Sequence, residues 1–249
     1  MRPAVALAAL FTAVAFSTAT AQVNTGAPAG KAGHAAAASA ERFDELVRDD
    51  LFDGMRKGDR AAFDRAMKLC ADTLAQNPRH APAMVWHGTG LIYESGQAFQ
   101  KNDISKGLDL WQRGLKEMND AVALNPDDVG ILIPRGAVLL PVSKYDPNPE
   151  EARQLIKTGV ADYEKVLHLQ EAYFPTLSVH ARGELLFGLA DGWFRLDEMN
   201  KSRDYLQRIV KDLAGSEYAT LATAWLQTTE ATALQKRSAA LSCIGCHAR

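Results

Sequence analysis

The chain has 249 residues, enough for one ordinary domain or one array of several repeats. Hydrophobic residues make up 47% and charged residues 23%, the balance of a folded protein, and the net charge of -2 argues against binding to nucleic acid or to an anionic membrane. Three cysteines, Cys70, Cys243 and Cys246, are too few for a disulfide-stapled scaffold.

Residues 1–21 read as an export signal. A single arginine precedes the apolar and small residues from Ala4 to Phe16, and Ala19-Thr20-Ala21 supplies a small-x-small cleavage site before Gln22. The apolar run is shorter than a membrane span, and no later stretch is apolar enough for one. The expectation is a mature protein in the periplasm or outside the cell. Residues 22–40 are rich in alanine and glycine and lack bulky apolar residues, so they read as a flexible leader, with His34 in solvent.

Residues 41–214 carry apolar positions at three- and four-residue spacing throughout. They also repeat. Ala66, Cys70 and Thr73 lead to Asn77-Pro78, and Gly114, Met118 and Ala121 lead to Asn125-Pro126. Gly159, Tyr163 and Val166 keep the spacing without the Asn-Pro, and Ser202, Leu206 and Ile209–Val210 make a fourth copy. A small residue, a larger one four along and an apolar one three further describe the second helix of a hairpin that a neighbour approaches closely. Trp86, Gly90 and Tyr93 fit the preceding helix, with Gly54 and Gly188 at the same glycine position. About a dozen extra residues interrupt the second copy between Gly96 and Lys106. In the third, Tyr145–Pro149 is a long turn in which Asn148 caps the next helix, Pro149 takes its first position and Glu151 reaches back.

On these residues, 44–214 resemble the tetratricopeptide-repeat family. The resemblance implies an all-α, TPR-like solenoid of about four degenerate helical hairpins, with a surface for a protein partner. Residues 215–249 then form a capping helix, Glu217 to about Leu241, that ends in a chemical motif.

That motif is Cys243-Ile244-Gly245-Cys246-His247. Positions three and four apart share a helical face. Two thiols can therefore add to the vinyl groups on one porphyrin edge while His247 reaches the iron. The five residues resemble the haem-attachment motif of c-type cytochromes, which implies one covalent haem c on Cys243 and Cys246 with His247 as proximal ligand. Only Ala248 and Arg249 follow, so the rest of the chain does not resemble a small cytochrome domain. Rival readings fit less well. A redox Cys-x-x-Cys opens a helix after a strand, and no strand pattern is visible. A structural zinc site needs a fourth ligand, for which Cys70 would have to fold close, and a disulfide three residues apart would stabilise little.

A sixth iron ligand has to come from upstream, from a partner, or be missing. Stacking like helices in parallel brings the end of the last helix near Leu196–Asn200, so Met199 is the tentative distal ligand, unless it fills a gap in the turn. His180 falls at the far end of that helix. His168 and His80 read as solvated, and His87 as facing the groove. Lys236, Arg237 and Arg249 complement a helix end or meet haem propionates. Cys70 reads as a core residue, and Trp111, Trp193 and Trp225 as packing.

Three functions remain open. The first is an exported single-haem c-type cytochrome-like protein that docks a redox partner for electron transfer. The second is a haem-bearing sensor or ligand-binding scaffold with an open iron site, and the third a haem-free protein–protein adaptor. No paired acid–base residues stand out, so no enzymatic activity is expected.

Overall fold

The computed structural model describes residues 42–228. These are helical, with no strand among the described residues, so the protein is all-α over this range. In chain order the helices are α1 (Phe43–Lys57), α2 (Arg60–Gln76), α3 (Ala81–Gln100), α4 (Ile104–Leu124), α5 (Val129–Val142), α6 (Pro149–Gln170), α7 (Val179–Arg195), α8 (Met199–Asp212) and α9 (Glu217–Leu226). Short 3₁₀ turns, Ser143–Tyr145 and Glu171–Thr176, flank α6.

Helix starts are set by side chains that accept the orphan N–H groups of the first turn. Asp59, Asp103, Asp128, Ser178 and Ser216 do this for α2, α4, α5, α7 and α9. Asn148 caps α6 by accepting from the Glu150 N–H, and Glu151 reaches back to the Asn148 side-chain amide rather than to its backbone. His80, expected in solvent, instead caps α3: its Nδ1 accepts the Ala83 N–H at 3.1 Å, and its ring lies 5.0 Å from that of Phe43. Helices α2 and α4 stop at the residue before Asn77 and Asn125, where the following prolines forbid continuation.

Consecutive helices pair as hairpins, α1–α2, α3–α4, α5–α6 and α7–α8, and the hairpins stack. Each first helix touches the next first helix, and each second helix touches the first helix of the hairpin that follows. Three hairpin turns share one device, a left-handed residue followed by an acidic one: Gly58-Asp59, Asn102-Asp103 and Asp197-Glu198, with φ of 74°, 61° and 66° at the leading residue. The additional residues of the second copy do not interrupt it. They lengthen both helices, so that α3 and α4 run to 20 and 21 residues.

The small residues of the second helices sit where the periodicity puts them. Ala66 and Ser202 are buried, and a Cβ on Gly114 would come within 2.8 Å of the Gly88 carbonyl oxygen. The glycines of the first helices divide into two sets, which corrects their alignment on one position. Gly54, Gly88 and Gly136 face the partner helix of their own hairpin, whereas Gly90 meets Met67 and Gly188 meets Tyr163 of the preceding one.

Two large cores result. One runs from Val47 to Leu139, the other from Leu132 to Trp225, and α5 contributes to both. Ile131, Val138 and Leu139 of α5 face the first, Leu132 and Leu140 the second. This all-round burial holds α5 helical across Pro134 and Pro141. Arg135, also on α5, is buried with bidentate bonds to Asp162 of α6 at 2.6 and 2.7 Å and a third to Asn119 of α4 at 3.0 Å. No described helix is long and apolar enough to cross a membrane.

Candidate functional site

Cys243, Cys246 and His247 lie outside the described residues, as do the export signal, the leader with His34, and Lys236, Arg237 and Arg249. The described residues still constrain the chemistry of that motif. Cys70 has no exposed surface, and burial pushes its thiol up to about 12, with the Glu117 carboxylate adding to the shift. A thiol held in that state is neither a metal ligand nor a nucleophile. Among the described residues no group of His, Cys, Asp or Glu side chains converges to hold a metal ion. Cys70 is thus a poor fourth ligand for a zinc site at the terminal motif.

The last part of the described stack is built from α7, α8 and α9. Helix α9 runs parallel to α7. The Tyr218 ring lies over Gly183 near the start of α7, and the Trp225 ring lies 6.1 Å from Phe187 and 5.8 Å from Phe194 farther along. The end of α9 thus reaches the end of α7, as parallel stacking requires. Of the helix expected to run from Glu217 to about Leu241, α9 covers Glu217–Leu226, and residues 229–241 lie outside the described residues. Thr228 donates its N–H to the Trp225 carbonyl at 3.0 Å and its hydroxyl to the Ala224 carbonyl at 2.8 Å.

Beside this turn an apolar groove of about 560 Å³ follows α8 and α9, lined by Val210, Ala214, Ala219, Thr220, Thr223 and Gln227 among others. The threonine hydroxyls bond back to their own helix, Thr220 to the Ser216 carbonyl and Thr223 to the Ala219 carbonyl. That leaves methyl groups and alanines to face the groove.

The candidate distal ligands fall at opposite ends of this unit. Met199 opens α8 and is 45% exposed, so it does not fill a gap in the turn. His180 is exposed in the first turn of α7. Its Nδ1 lies 2.9 Å from the Tyr218 hydroxyl, which donates to Glu184 Oε1 at 3.1 Å. The 17 residues of α7 separate the two candidates by about 25 Å. One iron cannot meet both.

Of the remaining histidines, His168 is exposed with Glu171 3.9 Å away, and His87 is half-buried with Nδ1 2.6 Å from Glu117. Both belong to the body of the stack rather than to its end. Trp225 is core, and Trp193 supports the Lys201 ammonium 3.7 Å from its ring centre. The sequence does not reveal the Tyr218–Glu184 support of His180, because its members come from two helices 34 residues apart. The chain matches no protein-family model, no curated protein and no solved structure.

Proposed function

We propose that the protein is an exported single-haem c-type cytochrome-like protein. A tetratricopeptide-like stack of hairpins docks a protein partner, and haem c is bound covalently through Cys243 and Cys246 with His247 as its proximal ligand. The observation that carries this reading is the Cys243-Ile244-Gly245-Cys246-His247 sequence behind an export signal at residues 1–21. The donor set fits the group: two thiols three residues apart for the two vinyl carbons, and an adjacent imidazole for the iron. The burial of Cys70 supports it, since the fold withholds the one thiol that would compete for the vinyl groups.

When bound, haem supplies a one-electron iron couple for electron transfer. The chain's own contribution is placement. Stacked hairpins set α1, α3, α5 and α7 side by side as an extended surface, the form in which repeat proteins present a binding face.

The test is haem staining of the denatured protein after co-expression with the haem-maturation machinery. The expected result is a stained band in the wild type and none in the Cys243→Ala/Cys246→Ala double variant. An unstained wild type would sink the reading and leave a haem-free adaptor.

A further inference from the structure

We propose that two copies of the chain associate through the edge of α4 that carries Ile104 and Leu108, the two α4 helices lying antiparallel about a two-fold axis. The inference is independent of haem attachment.

The second hairpin outgrows its neighbours, and its two flanks differ. Helices α3 and α4 have 20 and 21 residues, against 15 and 17 in α1 and α2. Helix α3 runs on from Gly88, where it crosses α4, to Gln100, whereas α5 crosses α6 at Gly136 and stops at Val142. On the side of the first hairpin the α4 flank is closed, because Leu110 is buried in a small cluster with Leu91, Ala98 and Met67. On the other side it is open. Ile104 and Leu108, one turn apart, stand 51% and 49% exposed, more than any other isoleucine, leucine or valine among the described residues. Trp111 and Leu115 continue the stripe and lean on the first core, and Val122, two turns on, touches both cores.

The spacing decides the shape that fits this edge. Ile104, Leu108, Trp111 and Leu115 recur at four, three and four residues, the seam by which one helix receives another. The residues beside the seam narrow the choice to a second copy. Its open side carries Ser105 and Gln112, both exposed and uncharged. The charges of the next row are spent within α4, Arg113 on Asp109 and Lys116 on Asp120. The edge therefore offers no charge that selects a partner of opposite sign and none that repels its own copy. It is also self-complementary. With two antiparallel α4 helices aligned midway between Leu108 and Trp111, Ile104 meets Leu115 of the second copy and Leu108 meets its Trp111. Each pairing then occurs twice, as a two-fold interface requires. In the same alignment Ser105 lies beside the second copy's Gln112. An edge this narrow gives a dimer of micromolar rather than nanomolar affinity.

The test is sedimentation equilibrium of the purified full chain over a concentration series, in reducing buffer so that no disulfide between chains counts. A reversible monomer–dimer equilibrium is expected. Leu108→Glu and Ile104→Lys, at half-exposed positions, keep the circular dichroism of the wild type and sediment as monomers. Ser105→Lys/Gln112→Lys sets like charges side by side and raises the dissociation constant by at least about tenfold. Ser105→Lys/Gln112→Glu sets opposite charges there and keeps the dimer, whereas in a parallel pair it would weaken it too. A photo-crosslinking benzoylphenylalanine in place of Ile104 is expected to attach to residues 111–118 of a second, isotope-labelled chain. A chain that is monomeric at every concentration overturns the inference, as does a dimer that survives Leu108→Glu. A crosslink formed instead within one chain, to residues 1–41 or 229–249, overturns it as well, because the chain then covers its own edge.

Discussion

Cys70 owes its chemistry to its surroundings. At Cys70 the α2 backbone turns the sulfur into the first core, where no water reaches the thiolate. Thiol counting reads this out. Under the proposed haem attachment the native protein is expected to give no reaction with a thiol reagent, and the denatured protein one reactive group per chain, because thioether bonds would occupy Cys243 and Cys246. Three groups after denaturation under reducing conditions would show that no haem was attached. The histidines separate in the same manner. His80 spends its Nδ1 on a helix cap and His87 on Glu117, whereas His180 is held by a tyrosine that is itself held by a carboxylate. His87 and His180 meet partners 30 or more residues away, which spacing does not show, whereas the His80 cap is local and a histidine is simply an unusual residue for it. The motif was legible because its chemistry lies within five residues. The Tyr218–Glu184 support of His180 was not, because its members come from two separate helices.

At the level of helices, the repeat was legible wherever one side chain governs a packing contact. Ala66, Gly114, Gly159 and Ser202 recur because a larger side chain would hold the neighbouring helix off. Periodicity did not show which helix each glycine faces, since own-hairpin and preceding-hairpin contacts are two residues apart on α3. The difference is measurable. Gly96 lies inside α3 with open space where a Cβ would go, so Gly96→Ala is expected to stabilise by about 0.5–1 kcal/mol, the usual helical gain. Gly114→Ala meets the Gly88 carbonyl, which is backbone and cannot rotate aside, and is expected to destabilise by about 1–3 kcal/mol. Paired urea melts give both signs, and two stabilising results would contradict the close approach. The hairpin turns carry a signal that went unread: glycine, asparagine or aspartate ahead of an acidic cap, at Gly58, Asn102 and Asp197. Those residue types adopt φ above zero more easily than others do.

Over the whole molecule, α5 is the member both halves need. Two cores meet on its opposite faces, and Arg135 ties it to α4 and α6 through buried bonds. Burial pushes the Asp162 carboxyl up from its ordinary range, and the Arg135 guanidinium pulls it back down. Removing one partner leaves the other desolvated with nothing to neutralise it. Arg135→Ala is expected to cost about 3–5 kcal/mol in urea unfolding followed by circular dichroism. A loss under about 1 kcal/mol would mean that the pair does not join the halves. The same helix governs how the chain behaves while incomplete. Until α6 and α7 arrive, Leu132 and Leu140 stand on an apolar surface with nothing across from them, so a chain halted after Val142 is sticky. A chain halted at Asn125 never shows that surface. The interval between emergence of α5 and closure of α6 and α7 over it is therefore a time during which a newly made molecule is exposed to loss.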